Sequence, residues 1–558
     1  MDWARRLSAF KGSRTSLRVR LECRVAPMCG IACCIGASEA LAEALKAAVG
    51  NRGPDGTEWV EIPGTTPLKM IASVLHIQGS ALCRQPCIDV DWNVLLWNGE
   101  IFDVRENRHF GQPNPGESDT LVVSRLLQKM LNSQSMEELA MCVSCIHGPW
   151  AMIYFHAQTK RLLYARDAFG RRSLCALRSR NGTIVALSSV TQSVCDDSRA
   201  NCWEEVGVEG IHVVGIDDMT SSITPWPPSR LRLTRKKTVE SFDLVDRPLA
   251  IEMPSRPSEF LDVCRSAVSR RVSCLSRKSL GGRSTVGVLF SGGVDSVFLA
   301  ALLHQCIKDH TETIDLINVS FVYQDTAGSP DRLAALEALA ELRVLYPERH
   351  WNLVEVDVDL PERNAHTEHI WQLIQPSATI MDLNIGTAFW FLGRAVGAGY
   401  KSCCKALLVG IGADEQMAGY GRHRATFLRG GTTALEAELA LDLERLWKRN
   451  LGRDDRCIAD SGREAWFPFL DESVVGYLQD LKMSVIADFS KAPGDGDKHI
   501  LREAARLLGL GHAATNVKRA VQFGSNISKL TNRALKRSSR KVNGKDQLEK
   551  GEIGGSAT

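Results

Sequence analysis

The chain has 558 residues, which is too long for one hydrophobic core, because single cores rarely grow beyond about 250–300 residues. Charged residues make up 24% of the chain and apolar residues 44%, and the formal net charge is +3. This balance gives no reason to expect a nucleic-acid partner. No run of about 18 apolar residues occurs. We therefore expect at least two globular domains and no membrane span.

The first 27 residues are basic, with six arginines and one lysine against Asp2 and Glu22. Mitochondrial transit segments share this composition, but it also fits a leader that precedes a true start at Met28. The 17 cysteines lack the regular spacing of a disulfide scaffold, which favours a reducing compartment. We expect residues 1–28 to be a leader or unprocessed extension, and the protein to be cytoplasmic, with a mitochondrial location as the alternative.

Short strands between turn signals dominate the region that follows, up to about residue 216. Alternating or apolar runs predict strands at residues 93–97, 151–155, 162–165 and 183–187. Helical patterns cover residues 38–49 and 120–130. This region, residues 29–216, is therefore predicted to be an α+β domain with antiparallel sheets.

A proline-rich stretch at residues 217–258 predicts a linker. Beyond residue 259, strands alternate with longer helical patterns. The predicted strands are residues 286–290, 314–321 and 353–358, and the predicted helices are residues 294–304 and 331–344. This order predicts an α/β domain with a parallel sheet over residues 259–527. The polar, lysine-rich residues 528–558 are predicted to be disordered.

The strongest local motif is LFSGGVDS at residues 289–296, where a buried strand ends in glycines and a helix begins. The glycines let backbone amides surround an anion, and the helix N-terminus supplies positive potential. Asp295 would repel phosphate, so we expect it to hold the Mg2+ that accompanies ATP. The plain structural alternative is a glycine turn with capping serines. The motif resembles the PP-loop of ATP pyrophosphatases, which adenylate an acceptor and release pyrophosphate; this implies ATP and Mg2+ as cofactors.

A second loop, LLVGIGADEQMAGY at residues 407–420, resembles the second nucleotide loop of asparagine synthetases. The resemblance implies that Gly410 lets the backbone approach the nucleotide and that Asp414 is a second Mg2+ ligand opposite Asp295. Asp414 could instead cap the following helix. Further matches to this family, in order, are NLGRDDR at 450–456, EAWFPFLD at 464–471, KHILR at 498–502 and KRAVQFG at 518–524. The ATP-binding residues implied are Leu289, Ser291, Gly292, Gly293, Val294, Asp295, Ser296 and Gly410.

The amino-terminal half resembles the class II glutamine amidotransferase domain of the same family, an N-terminal nucleophile-type glutaminase fold. The matching motifs are MCGI at 28–31, RGPD at 52–55, NGEI at 98–101, SDT at 118–120 and RDAFG at 166–170. In such glutaminases a cysteine thiol attacks the glutamine amide, and its free α-amine, with a reference pKa near 8, takes the proton. The resemblance implies that Met28 is removed, that Cys29 is the nucleophile, that Asn98 and Gly99 are oxyanion donors, and that Asp119 binds the α-ammonium of glutamine. The structural alternatives are a buried thiol for Cys29, a hairpin turn for Asn98 and Gly99, and a helix cap for Asp119.

Three positions depart from the family pattern. Val74 stands where an arginine would bind the glutamine carboxylate, although His76 could substitute. Ile411 replaces the glutamate that serves as base for the acceptor reaction, and an aliphatic side chain cannot transfer a proton. Ala520 replaces a lysine, although Lys518 and Arg519 are neighbours that could reach developing phosphate charge. With these departures, the chain resembles the divergent asparagine synthetase domain-containing branch of the family.

The resemblance implies an ATP-dependent, glutamine-hydrolysing amidotransferase that amidates an adenylated carboxylate, with aspartate to asparagine as the default reaction. Its partners would be glutamine and a carboxylate acceptor, without nucleic acid, and the oligomeric state stays open. The alternative is a catalytically degenerate protein that binds nucleotide and acts in regulation or as a scaffold. A tRNA-modifying PP-loop enzyme would leave the amino-terminal half unexplained.

Overall fold

The computed structural model describes residues 18–22, 29–53, 56–75, 77, 83–104, 117–133, 135–192, 202–227, 255–275, 282–322, 328–517, 519–535 and 546. Two of the three candidate substitutes, His76 and Lys518, lie outside these residues, as does most of the predicted tail, whereas the third, Arg519, is described. Across the described ranges, every helix is too short or too polar to cross a bilayer.

Two antiparallel sheets form the amino-terminal domain. Its strands are β1 (Arg18–Glu22), β2 (Gly30–Ile35), β3 (Thr57–Ile62), β4 (Leu68–Ser73), β5 (Cys87–Ile88), β6 (Val94–Gly99), β7 (Asp103–Val104), β8 (Ile146–His147), β9 (Trp150–His156), β10 (Arg161–Arg166), β11 (Cys175–Arg178), β12 (Ile184–Ser188), β13 (Cys202–Glu205), β14 (Gly210–Gly215) and β15 (Ser221–Pro225). Its helices are α1 (Glu39–Gly50), α2 (Asp119–Ser133) and α3 (Met136–Val143). One sheet has the order β1-β3-β4-β2-β12-β11-β13 and the other β15-β14-β10-β9-β6-β5.

The two sheets pack face to face and carry helices on their outer faces. Ile31 of β2 and Leu96 of β6 share the core between the sheets. Helix α1 covers the first sheet through a cluster that includes Leu45, and α2 covers the second through one that includes Val123. This four-layer arrangement confirms the predicted α+β, N-terminal nucleophile-type fold, and it brings the start of β2 and the end of β6 to the same region.

The carboxyl-terminal domain is built on a parallel sheet. Its strands are β16 (Val286–Leu289), β17 (Ile314–Phe321), β18 (Trp351–Val358), β19 (Val396–Gly397), β20 (Tyr400–Lys401), β21 (Ala406–Leu408) and β22 (Glu464–Trp466). Its helices are α4 (Arg256–Ser273), α5 (Val294–Cys306), α6 (Pro330–Leu345), α7 (Leu360–Ala365), α8 (Thr367–Ile374), α9 (Ile380–Arg394), α10 (Ala413–Gln416), α11 (Gly421–Leu446), α12 (Gly452–Ala459), α13 (Glu472–Asp480), α14 (Met483–Ile486), α15 (His499–Leu507), α16 (Val521–Gly524) and α17 (Ile527–Leu535). A π-helix, Trp447–Leu451, joins α11 to α12.

The order of the parallel sheet, β18-β17-β16-β21-β22, explains where a ligand would bind. The chain runs from β16 outward to β17 and β18, then returns to place β21 on the other side of β16. A crevice opens where strand order reverses, at the carboxyl ends of the strands. Both glycine-rich loops, after β16 and after β21, lie at this edge. The predicted α/β domain is confirmed.

The structure differs from the predicted domain limits in three places. Strand β15 lies inside the predicted linker, because its residues pair with β14 although serine, threonine and proline dominate them. Helix α17 continues to Leu535, beyond the predicted start of the tail, because Ile527 and Leu530 are buried in the second domain. Strand β1, inside the predicted leader, pairs with β3 from Arg18↔Glu61 to Glu22↔Thr57. The five residues of β1 do alternate between polar and apolar types, but the basic composition of the first 27 residues favoured the interpretation as a leader.

Candidate active sites

Cys29 lies at the start of β2, enclosed at the junction of the two domains. It is 7% exposed and belongs to one apolar cluster with Leu75 and with Trp466 of the second domain. The backbone N–H of Leu75 donates to Cys29 Sγ at 3.4 Å. The carbonyl oxygen of Cys29 accepts from Nε of Arg52 at 3.3 Å. Cys29 is therefore held from both sides, with its thiol inside the domain junction.

Burial makes the Cys29 thiol a weak acid. Loss of hydration raises its pKa to about 12, opposed by the hydrogen bond from Leu75 and supported by the charges of Glu464 and Glu100. The thiol is consequently neutral near pH 7. A thiol of this kind attacks only when a base takes its proton during the reaction, which is the role expected for a free α-amine at Cys29.

Asn98 and Gly99 end β6 on the opposite sheet. Asn98 is fully buried, and neither its side-chain oxygen nor its side-chain nitrogen has a hydrogen-bond partner among the described residues. A buried amide without partners costs free energy, so the arrangement points to a ligand that would complete it. Gly99 sits against Trp150, where an added Cβ would lie 2.5 Å from Trp150 Cβ. The hairpin-turn alternative does not hold, because both residues belong to a strand paired with β9.

Asp119 is the first residue of α2, and its Oδ2 accepts from the backbone N–H of Ile101 at 2.5 Å. Burial raises the pKa of Asp119 to about 7; the Ile101 hydrogen bond lowers it and the charge of Glu464 raises it further. The carboxyl is thus poised between its two protonation states near neutrality. An ammonium group placed beside it would favour the carboxylate.

Val74 follows β4 and offers no charge. It is buried in the same apolar cluster as Cys29, and its N–H donates to the carbonyl of Gly56 at 2.9 Å. Arg52 lies at this junction, but its Nη2 already pairs with Asp455 Oδ2 at 2.8 Å. One guanidinium nitrogen of Arg52, Nη1, is buried and has no hydrogen-bond partner within the described part of the chain.

The phosphate loop connects β16 to α5 in the order that the sequence predicts. Gly292 has φ +75°, and an added Cβ would lie 2.2 Å from the carbonyl carbon of Ala334. Only glycine fits this turn. A recess of about 60 Å³ is lined by Ser291, Gly292, Gly293, Val294 and Asp295 together with Asp331, Ala334, Lys498, Arg502, Asn516, Val517 and Arg519. The glycine-rich backbone and three cationic side chains, Lys498, Arg502 and Arg519, therefore border a space that suits an anion.

Asp295 and Asp414 converge on one point from the two loops. Lys498 Nζ lies 2.7 Å from both side-chain oxygens of Asp295 and 2.6 Å from Oδ1 of Asp414. Lys498 is fully buried, and Gly419 leaves it room, since a Cβ there would lie 2.2 Å from Lys498 Cε. Gly410 likewise admits Asp295, whose Cβ would lie 2.9 Å from an added Cβ. Two carboxylates that meet a single cation fit a hard divalent ion such as Mg2+.

A larger cavity of about 400 Å³ extends from these carboxylates. Of the predicted ATP-site residues, it is lined by Leu289, Ser291, Asp295, Ser296, Gly410 and Asp414. Two of the three departures from the family pattern, Ile411 and Ala520, also line this cavity. The apolar side chains at these positions leave the cavity without the base and the lysine expected there.

The far end of this cavity carries a buried guanidinium and two carboxylates. Arg453 donates to Asp382 Oδ1 at 2.5 Å and to Asp454 Oδ1 at 2.8 Å. Nη2 of Arg453 and Oδ2 of Asp454 have no partner among the described residues, although both residues are 2% exposed or less. Arg453 therefore has a donor atom, and the neighbouring Asp454 an acceptor atom, that no described residue uses.

Helix α12 joins this cavity to the glutaminase domain. Asp455, next to Asp454, accepts from Arg52 Nη2 at 2.8 Å and from the backbone N–H of Ser173 at 3.0 Å. Arg456 donates to Glu205 Oε1 at 2.7 Å. Consecutive residues of one helical turn thus line the cavity, at Asp454, and contact Arg52, which donates to the Cys29 carbonyl, at Asp455.

Sequence reasoning missed several of these residues. The sequence assigned Lys498 no role beyond membership of the KHILR motif, although its ammonium group lies between the carboxylates of Asp295 and Asp414. Asp455 and Glu464 belong to motifs that resemble the family, but neither residue was assigned a role. A signal was available only for Glu464, a charged residue followed by the apolar residues Ala465 and Trp466, because an unpaired buried charge is rarely tolerated.

Known proteins resemble both halves of the chain. The glutamine amidotransferase domain model matches residues 72–196, and the asparagine synthase model matches residues 276–432 and 427–552. Asparagine synthetase domain-containing protein 1 of Mus musculus is 33% identical, over 90% of this chain and 97% of that protein. The Bos taurus protein of the same name is 34% identical over 90% and 96%. The glutamine-hydrolysing asparagine synthetase of Gallus gallus is 25% identical over 86% of this chain and 80% of that protein.

Proposed function

Because the chain belongs to the asparagine synthetase domain-containing proteins, we propose that it is an ATP-dependent, glutamine-hydrolysing amidotransferase that amidates an adenylated carboxylate. The observation that carries this proposal is the convergence of Asp295 and Asp414, from two separate loops, on Lys498. A protein that had lost nucleotide chemistry would have no need to keep two buried carboxylates and a lysine together, since such groups are costly to bury.

In the glutaminase half, removal of the residues before Cys29 would free its α-amine. The amine takes the thiol proton as Sγ attacks the side-chain amide of glutamine. The Asn98 side chain and the backbone at Gly99 are placed to donate to the oxyanion that forms. Asp119 binds the α-ammonium group and thereby fixes which carbonyl meets Sγ. The C–N bond then breaks, ammonia leaves with the proton that the α-amine had taken, and a thioester to Sγ remains. Water hydrolyses this thioester, which releases glutamate and returns the thiol.

In the synthetase half, the residues 289–296 bind the phosphates of ATP through backbone amides. Asp295 and Asp414 would hold Mg2+, whose charge offsets that of the phosphates. Lys498 would exchange its carboxylate partners for phosphate oxygens as these approach, and Arg519 faces the same recess. The acceptor carboxylate attacks the α-phosphate, pyrophosphate leaves, and ammonia displaces AMP from the adenylate.

Aspartate is the default acceptor. The α-carboxylate and α-ammonium of aspartate match the charges of Arg453 Nη2 and Asp454 Oδ2, neither of which has a partner among the described residues. Burial raises the pKa of Asp454, with Arg453 opposing, so a bound ammonium would also restore its ionised form. We also propose a cytoplasmic location, because every cysteine among the described residues has a free thiol.

The second candidate is a degenerate protein that binds nucleotide without turnover. Ile411 and Val74 favour it, because each places an aliphatic side chain where the family pattern has a charged one. It would retain ATP binding at residues 289–296 and have no adenylation activity.

ATP–pyrophosphate exchange with a panel of carboxylates separates the two candidates. The amidotransferase gives carboxylate-dependent exchange with one member of the panel, and Asp295→Asn abolishes it. The degenerate protein binds ATP but gives no exchange with any member. The Ile411→Glu variant is the matched gain-of-function test, since exchange confined to that variant would favour degeneracy of the natural chain.

A further inference from the structure

Lys498 carries its positive charge into a buried position between two carboxylates. Its side chain is 1% exposed, and its Nζ lies 2.7 Å from both side-chain oxygens of Asp295 and 2.6 Å from Oδ1 of Asp414. One positive charge therefore meets two negative charges. The three side chains together keep one negative charge, so the ammonium group reduces the attraction of this place for a further cation without removing it.

The ammonium group of Lys498 lies where a divalent ion would lie. Carboxylate oxygens are the ligands that Mg2+ prefers, at about 2.0–2.1 Å. An ion bound to Asp295 and Asp414 together has to lie between their oxygens, and Nζ lies between the same oxygens. Two cations cannot share this position, and at close range in a buried site they repel each other strongly. A metal ion therefore binds both carboxylates only if Nζ moves away.

The backbone of Lys498 adopts an unfavourable conformation that holds the side chain in place. Lys498 has φ +53° and ψ +36°, in the left-handed region that favours glycine. Its N–H donates to the carbonyl oxygen of Met417 at 2.9 Å, and the next residue, Ala418, also has a positive φ, of +57°. Gly419 leaves the side chain room, since an added Cβ would lie 2.2 Å from Lys498 Cε. Backbone strain of this kind clusters at ligand sites and switch regions.

A second set of partners is within reach of Lys498. The residue also lines the recess of about 60 Å³ beside the phosphate loop, and Asp295 lines both this recess and the larger cavity. Arg502 borders the same recess, but it donates from Nε to the Asp497 carbonyl at 2.7 Å, from Nη2 to Asp497 Oδ2 at 2.6 Å and from Nη1 to the Ala514 carbonyl at 2.9 Å. The ammonium of Lys498, on its flexible stem, is able to turn from the carboxylates to an anion in the recess.

We propose that Lys498 is an internal counter-ion that excludes the divalent ion from Asp295 and Asp414 until nucleotide phosphates draw its ammonium group into the recess. Metal and nucleotide then bind together, and each raises the affinity for the other by the same factor. The part played by the nucleotide rests on the proposed function. The exclusion of metal in the absence of nucleotide rests on the contacts of Lys498 alone.

Titration of the full chain with Mn2+, without nucleotide, tests the exclusion. Mn2+ takes the same oxygen ligands as Mg2+, and the free ion is measured by its paramagnetic resonance spectrum. Lys498→Met should bind Mn2+ at least about tenfold more tightly than the natural chain, the equivalent of 1.4 kcal/mol, because two carboxylates are left without a cation. The double variant with Asp414→Asn should lose this gain. Lys160→Met, which breaks an exposed pair with Asp217, is the matched control and should bind like the natural chain.

Crystals of the natural chain give a second measurement that needs no variant to fold. With Mn2+ and an ATP analogue whose α–β bridge is a methylene group, anomalous scattering should place Mn2+ between Asp295 and Asp414. Lys498 Nζ should then lie within hydrogen-bond distance of a phosphate oxygen. Crystals soaked in the same Mn2+ without the analogue should show Nζ between the carboxylates and no Mn2+ there.

The proposal is overturned if Lys498→Met and the natural chain bind Mn2+ equally, or if Mn2+ lies between the two carboxylates of the natural chain without nucleotide. It is also overturned if the analogue does not bind, or if Nζ keeps its contacts with Asp295 and Asp414 when the analogue is bound. Failure of the proposed function has a different signature. Mn2+ and the analogue would then bind together as described, while no carboxylate supports ATP–pyrophosphate exchange.

Discussion

Lys498 Nζ lies 2.7 Å from both side-chain oxygens of Asp295, in a part of the domain where neither side chain has more than slight contact with solvent. The same ammonium group reaches Asp414. The single positive charge of the lysine thus offsets part of the repulsion between the two carboxylates and holds the two loops of the proposed nucleotide site together.

Replacing Lys498 by methionine should lower the free energy of unfolding. Two buried carboxylates would then repel each other, and removal of one partner from a buried ion pair costs about 3–5 kcal/mol of unfolding free energy. Added Mg2+ should recover part of the loss. Urea unfolding with and without MgCl2 measures both effects. Lys160→Met, which breaks the exposed pair with Asp217, is the control and should cost no more than about 1 kcal/mol. Equal stability of the two variants would contradict the account.

The phosphate loop allows a sharper comparison between neighbouring glycines. Gly292→Ala forces a side chain into a left-handed conformation and places Cβ 2.2 Å from the Ala334 backbone. Gly293→Ala meets nothing closer than Ser291 Oγ at 3.5 Å. We expect Gly292→Ala to weaken ATP binding more than about tenfold, the equivalent of 1.4 kcal/mol, and Gly293→Ala to weaken it much less. Titration calorimetry with ATP-Mg2+ compares them, and equal affinities would show that the turn does not hold phosphate.

The dependence of glutamine affinity on pH follows from Asp119. With a pKa of about 7, its carboxyl is mostly neutral below pH 7 and mostly ionised above it. Glutamine, whose ammonium requires the carboxylate, should bind more tightly as the pH rises through 7. Asp119→Asn should bind weakly at every pH and lose this dependence. An unchanged pH profile for glutamine KM in the variant would show that Asp119 does not bind the ammonium group of glutamine.

Asp119 should also affect stability in a defined pH window. The folded chain keeps its proton up to about pH 7, whereas an unfolded aspartate loses it near pH 3.9. The folded state binds more protons between these values, so the contribution of Asp119 to stability falls as the pH rises from about 4 to about 7. The difference in unfolding free energy between the natural chain and Asp119→Asn should change in that window and be flat above it.

Asp455 tests whether the two domains are held together by buried charge. It accepts from Arg52, Arg172 and Ser173, all in the amino-terminal domain. Asp455→Asn should destabilise the chain by about 3–5 kcal/mol, because two arginines lose their shared partner, and should slow glutamate release through the Arg52 contact to the Cys29 carbonyl. Asp217→Asn, at the exposed pair, is the matched control. A loss no larger than that of the control would contradict this view of the junction.

Much of the architecture could be predicted because apolar runs record burial. Strand β17 was predicted at its exact limits, residues 314–321, since all eight of its residues are buried. Strand β15 was missed because half-exposed serine and threonine residues pair only through backbone hydrogen bonds. Lys498 and Glu464 were recognised as motif members, but their contacts join residues far apart in the chain. Local sequence patterns carry no record of such distances.

The most direct test of the amidotransferase account follows the nitrogen of glutamine. The protein, with its mass showing that it begins at Cys29, is incubated with glutamine labelled with 15N at the side-chain amide, ATP-Mg2+ and aspartate, and the products are measured together. The account predicts equal amounts of glutamate, AMP and 15N-labelled asparagine. Cys29→Ala should lose all three, and free unlabelled ammonia should restore AMP and unlabelled asparagine without glutamate. Bound ATP with no AMP formed, under the same conditions and with a panel of other carboxylates in place of aspartate, would contradict it.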